Sequence, residues 1–191
     1  MISRGMSKLI YIANVSVDGY IEDSHGNFDW TAPDDEVFAF ITDLIRSAGT
    51  YLYGRRMYET MAVWETDPTL AAQSELMGDF ARVWQAANKV VYSTTLHEVS
   101  SAKTQLERNF DPDAIRALKT SAAGDLAVGG PNLAAHAFHA GLVDECQLFI
   151  YPVFVGTGKP SLPRDTRANL ELLDERRFGN GVVYVRYRVA S

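Results

Sequence analysis

The chain has 191 residues, 47% hydrophobic and 22% charged, a composition that fits one globular domain over 1–191 and excludes a disordered or fibrous chain. A net charge of -6, from 18 Lys and Arg against 24 Asp and Glu, argues against nucleic acid as a partner, because phosphate backbones are held by clustered cations. The single cysteine, Cys146, cannot close an internal disulfide, and the start MISRGMSKLIYIANV is neither a signal peptide nor an apolar span of about 20 residues, so a cytoplasmic chain without membrane insertion is expected.

Residues 8–14 (KLIYIAN) read as a buried first strand, followed by a turn at Ser16-Val17-Asp18-Gly19. From Asp34, apolar residues at Val37, Phe38, Phe40, Ile41, Leu44 and Ile45 recur at helical spacing, with Thr31 or Asp34 as the cap and Gly49 as the stop. Strand 50–53 ends in Gly54-Arg55-Arg56, ahead of a short helix over 57–63. A helix over 73–87 precedes a third strand, 89–93, and a short strand over 104–110 precedes a helix near 113–122. Strand 125–129 then runs into a helix over 131–140, closed by Gly141. The long strand 145–155 contains Pro152, which predicts a bulge or an edge. Strands 169–178 and 182–189 form a hairpin around Gly179-Asn180-Gly181. Strands alternating with helices, then strands alone, predict an α/β fold: a mostly parallel central sheet with helices on both faces and an antiparallel C-terminal hairpin.

The junction at Gly129-Gly130-Pro131-Asn132 puts small residues where a strand hands over to a helix. Exposed backbone N–H groups at the positive end of a helix dipole suit an anion. A tight turn with no ligand reads the same residues equally well. Two other strand ends share the logic. Arg55 and Arg56 carry forked donors suited to phosphate, and Ser93-Thr94-Thr95 carry hydroxyls suited to a ribose or its phosphate.

Taken together, Ala13-Asn14…Val17-Asp18-Gly19-Tyr20-Ile21, Trp30…Pro33, GRRMYE (54–59), VVYSTT (90–95), VGGPNLAAHAF (128–138) and YPVFVGTGKPSL (151–162) resemble the dihydrofolate reductase-like family. The resemblance is strongest to the reductase domain that ends the bifunctional riboflavin-biosynthesis deaminase–reductase, and to its stand-alone relatives, and it spans nearly the whole chain. It implies NADPH as cofactor, with Arg55 and Arg56 at the 2′-phosphate, Gly54 and Ser93 to Thr95 around the adenosine end, and Gly129 to Leu133 cradling the pyrophosphate. It also implies a cis bond at Gly129–Gly130. The nicotinamide carboxamide would meet backbone near Ala13, Asn14 and Ile21, under a closing loop over 15–24. Lys159 would lie beside the active site, within reach of a substrate phosphate, and relatives pair as homodimers through the C-terminal strands, a contact the apolar stretch 147–155 would suit.

The catalytic acid is the least fixed assignment. Asp34, Asp35 and Glu36 cluster where folate reductases place one carboxylate; Asp34 is favoured by helix phase and Asp35 is kept. Acids in the first turn of a helix are favoured by its dipole and need no catalytic role, which is the stronger reading of the cluster. Trp30 is the tryptophan expected to line a ring-binding cleft, with Trp64 and Trp84 in the packing. His136 and His139 lack a third ligand, so no metal is expected. Gly156-Thr157-Gly158-Lys159 does not fit the Walker spacing, and Asn14-Val15-Ser16 matches a glycosylation sequon by chance. No zinc-deaminase signature occurs. The expected activity is hydride transfer to a C=N or C=O of a pterin-like, pyrimidinone or ribosyl substrate. A nucleotide binder without turnover and a flavin-using reductase are the alternatives.

Overall fold

The computed structural model describes residues 6–190; residues 1–5 and 191, the ends of the expected domain and of the N-terminal segment read above, lie outside it. The strands are β1 (Leu9–Ser16), β2 (Tyr20–Asp23), β3 (Ala48–Gly54), β4 (Asn88–Tyr92), β5 (Thr104–Glu107), β6 (Asp125–Gly129), β7 (Glu145–Tyr151), β8 (Gly158–Pro160), β9 (Asn169–Arg177) and β10 (Val183–Ala190). The helices are α1 (Asp35–Arg46), α2 (Arg55–Thr66), α3 (Pro68–Ala71), α4 (Glu75–Ala86), α5 (Pro112–Ser121) and α6 (Pro131–His139), with a single 3-10 turn at Asp29–Thr31.

Eight strands form one sheet in the order β5-β4-β3-β6-β1-β7-β10-β9. The first six run parallel, and β10 pairs antiparallel with both β7 and β9. Leu52, Leu126, Val128, Leu9 and Tyr11 pack with α5 and α6 on one face. Tyr51, Tyr53, Val91 and Ala127 pack with α1, α2 and α4 on the other, and Val37 and Phe40 extend that layer over Phe149, Tyr151 and Tyr184. The expected α/β architecture is therefore present, with helices on both faces. Strand order reverses between β3 and β1, where β6 is inserted, and the carboxyl ends of these three strands meet at one edge.

Several local expectations are corrected. Gly49 does not stop α1. The helix ends at Arg46 with Ser47 as its cap, whose Oγ donates to Leu44 O at 2.7 Å, and Gly49 already lies in β3. Gly54 is itself the N-terminal cap of α2, so Arg55 and Arg56 are first-turn helix residues instead of a turn before residue 57. Strand β7 stops at Tyr151 and is not an edge: it lies between β1 and β10, where a proline would remove a ladder N–H, and Pro152 falls just beyond it. Within the stretch 147–155, Gln147, Phe149 and Tyr151 are buried, while Pro152 and Phe154 are exposed, Phe154 to 79%. No cis peptide occurs among the described residues; Gly129–Gly130 is trans, and the chain turns there through Gly130 at φ +93°, a conformation open to glycine. Of the two caps considered for α1, Asp34 takes the role, accepting from Val37 N at 2.9 Å. Three elements had no sequence signal of their own: α3, and β2 and β8, a small antiparallel pair lying outside the main sheet.

Candidate active site

The carboxyl ends of β3, β4 and β6 deliver the groups singled out by motif. Arg55 donates from Nη1 to Thr95 Oγ1 at 2.9 Å and from Nε to Glu59 Oε1 at 2.8 Å, so its guanidinium is held in place before any ligand arrives. Ser93 builds the receiving turn: its Oγ accepts from the backbone N–H of Thr95 at 3.2 Å and of Leu96 at 2.9 Å. Arg108 steadies the same turn by donating to Ser93 O at 3.0 Å. Thr94 is exposed beside it.

Helix α6 starts at Pro131 with Gly130 as its cap and no side chain bonded to its first N–H groups. Asn132 is exposed there, while the Leu133 side chain is buried in the core and can offer only its backbone N–H. Gly129 has a packing reason of its own. A Cβ at that position would lie 3.0 Å from Tyr53 Cε1 and 3.2 Å from Met57 Cε. The bare surface that an anion can approach is therefore at Gly130, where an added Cβ would meet only Met57 Cβ, at 3.7 Å.

Arg56 is not brought to the Arg55–Thr95 group. Its Nη1 donates to Glu22 Oε1 at 3.0 Å, tying α2 to β2. Ala13 and Asn14 lie on β1 and Ile21 on β2, all three partly exposed. Lys159 lies on β8, in register with Glu22. Asp34 serves as the cap of α1, Asp35 sits exposed in its first turn, and Trp30 lies in the 3-10 turn, edge to face with Tyr151 at 6.3 Å between ring centroids.

Three groups with structural parts here were not singled out as site residues from the sequence. Asp18 binds the far loop: it accepts from Ser16 Oγ at 2.6 Å and from the N–H of Gly156 at 2.8 Å, and these bonds hold its carboxyl below the ordinary range. Glu22 anchors Arg56. Tyr151 ends β7 beneath Trp30 with its hydroxyl buried. In the sequence, Asp18 and Glu22 stand out only as part of the loop over 15–24, and Tyr151 only as the start of the 151–162 motif.

Among the described residues no three His, Cys, Asp or Glu side chains gather as a metal site; His136 stacks on Phe110, and His139 meets Asp165 at 2.8 Å. A hollow of about 340 Å³, lined by Arg46, Asp79 and Arg82 among others, lies at the opposite, amino end of β3, away from these groups. No helix among the described residues is long and apolar enough to cross a membrane.

A family model for the RibD C-terminal domain matches residues 7–184. The chain belongs to that family. It is 29% identical over 182 residues to the uncharacterized protein YyaP of Bacillus subtilis strain 168, covering 94% of each chain. Among solved structures, it resembles a candidate riboflavin biosynthesis protein of Shewanella sp. PV-4 with a TM-score of 0.74 and 19% identity, over 96% of this chain and 99% of that one. It also resembles a diaminohydroxyphosphoribosylaminopyrimidine deaminase/5-amino-6-(5-phosphoribosylamino)uracil reductase of Thermotoga maritima, with a TM-score of 0.64 and 15% identity, over 97% of this chain but 57% of that longer one. At these identities the structures speak for the dihydrofolate reductase-like fold, which the RibD C-terminal domains share.

Proposed function

We propose that this RibD C-terminal domain protein is an NADPH-dependent reductase acting on a C=N or C=O group of a pyrimidinone, pterin-like or ribosyl substrate in the cytoplasm. The observation that carries the reading is the Arg55–Thr95 contact, which joins the ends of β3 and β4 beside the glycine-capped start of α6. A dinucleotide fits this set. Gly130 leaves room for pyrophosphate oxygens at the first N–H groups of α6, and Arg55 with Thr95 offers a charged fork and a hydroxyl to the adenosine phosphate. NADPH, when bound, supplies the hydride.

The chain's own residues do the rest. Backbone at Ala13, Asn14 and Ile21 would orient the carboxamide of the nicotinamide, and Trp30 would wall the substrate end. The β2–β8 pair, fastened through Asp18 to Gly156 and through Glu22 to Arg56, would keep water from the reacting carbon. Asp34, Asp35 or water would deliver the proton, and Lys159 would answer a substrate phosphate. A homodimer would pair through β9 and β10, a reading supported by the exposed side chains of Leu170, Leu172 and Val183.

The test is a titration with NADPH and NADH, followed by NADPH oxidation across dihydrofolate, 5-amino-6-(5-phosphoribosylamino)uracil and simple carbonyls. NADPH preference with turnover of one of these supports the reading. Binding without turnover would mark a nucleotide-binding protein, and a yellow protein with bound flavin would replace the cofactor assignment.

A further inference from the structure

Arg55 meets the end of β4 already carrying a counter-ion. Its Nη1 donates to Thr95 Oγ1 at 2.9 Å, and its Nε donates to Oε1 of Glu59, one helical turn further along α2, at 2.8 Å. Among the described residues, Nη2 of Arg55 donates to nothing and Oε2 of Glu59 accepts nothing. Both side chains are half-exposed, so a ligand can reach the pair. Glu59 holds nothing else together: Arg55 is the one side-chain partner it has among the described residues. An exposed pair four residues apart on a helix adds little to stability.

Helix α2, like α6, starts at a glycine with no side chain bonded to its first N–H groups, whereas α1, α4 and α5 are capped by Asp34, Ser74 and Asp111. An anion drawn to Arg55 therefore also meets the positive end of α2. Glu59, bonded to the same guanidinium, puts a like charge beside that anion. Charges of one sign a few ångströms apart repel even through water. A ribose without the phosphate has the opposite need. Its 2′-hydroxyl is a donor, and the open Oε2 is an acceptor of the kind that holds such hydroxyls in other dinucleotide sites.

We propose that Glu59 is a specificity-determining residue that opposes Arg55: it holds down the affinity for a ribose 2′-phosphate and supports a bare ribose 2′-hydroxyl. This goes beyond the reductase reading and rests on it only for placing the adenosine end of the dinucleotide at Arg55. The two side chains together set the ratio between phosphorylated and unphosphorylated cofactor, Arg55 pulling one way and Glu59 the other.

The experiment titrates the intact chain and two variants with NADPH and NADH at low salt. Glu59→Gln removes the charge while its amide oxygen can still accept from Arg55 Nε, and Glu59→Ala removes the acceptor as well. NADPH should bind Glu59→Gln about three- to tenfold more tightly than wild type, a gain that shrinks as salt is added. NADH should bind Glu59→Ala about fivefold more weakly than wild type. A purely structural part for Glu59 would move both nucleotides the same way. Urea unfolding should place the three midpoints together, which assigns the shifts to the ligand. NADPH binding Glu59→Gln no more tightly than wild type, or NADH binding Glu59→Ala as tightly, overturns the proposal and leaves the reductase reading standing. A wild-type chain that binds neither nucleotide removes both.

Discussion

Arg55 donates from Nη1 to Thr95 Oγ1 across 2.9 Å, so the helix start behind β3 and the turn behind β4 hold one guanidinium between them. A hydrogen bond to a charged group contributes about 1.5–3 kcal/mol, or roughly 10- to 100-fold in affinity. Arg55→Ala should weaken NADPH by that factor and leave NADH within about threefold, because only NADPH carries the phosphate that a guanidinium would read. Fluorescence titration with the two nucleotides measures the contrast. Equal losses would remove Arg55 from the 2′-phosphate.

Gly158 is required by the approach of two chains. A Cβ there would collide with the carbonyl of Glu22 and lie 3.0 Å from Asp23 Cα, within the β2–β8 pair. Backbone cannot step aside as a flexible side chain does. Gly158→Ala should open the pair at a cost of about 1–3 kcal/mol, the range seen for overpacking. Limited proteolysis should then cut faster within 18–26 and 154–160, with the sheet intact by circular dichroism. Unchanged cleavage would show that the pair tolerates the methyl group.

These two sites differ in how far the sequence revealed them. The parallel sheet was legible because its strands are buried on both faces and read as short apolar runs, such as KLIYIAN and KVVYS. Helix α1 was legible through Asp34 and the spacing from Val37 to Ile45. The β2–β8 pair was not, because YIED and GKP are too short for a periodic signal and find each other across more than a hundred residues. Gly129 was read as room for a ligand, whereas its first reason is the Tyr53 ring, brought alongside by the insertion of β6 next to β3. Tyr151 was legible only as the first residue of the YPVFVGTGKPSL motif, because its lack of a hydrogen-bond partner shows only in the packed structure.

Tyr53 provides a contrast to Tyr151. Its hydroxyl accepts from Trp84 Nε1 at 3.1 Å, and both residues are buried. Tyr53→Phe would strand the indole N–H in the core, a loss of about 1–3 kcal/mol. Urea unfolding should show the midpoint falling with the slope unchanged. No loss would mean that the Trp84 N–H finds another acceptor.

Glu145 contributes to the pH dependence of the fold. Its carboxylate accepts from Lys8 Nζ at 2.7 Å, from Arg186 Nε at 2.7 Å and Nη2 at 3.0 Å, and from Gln147 Nε2 at 3.3 Å. Burial alone would raise its pKa, but the hydrogen bonds from Arg186 and Lys8 outweigh it and bring the value from 4.5 down to about 2. The unfolded chain therefore takes up this proton first as pH falls. The stabilisation is full above about pH 5 and drains away between there and about pH 2. Glu145→Gln should cost about 3 kcal/mol at pH 7, the lower end for breaking a buried pair, because Lys8 and Arg186 can reach water. Other carboxylates titrate in the same window, so the test is the difference between the two proteins. The gap in unfolding free energy should narrow steadily from about pH 5 to about pH 2, and a gap that stays constant would assign the acid sensitivity to other groups.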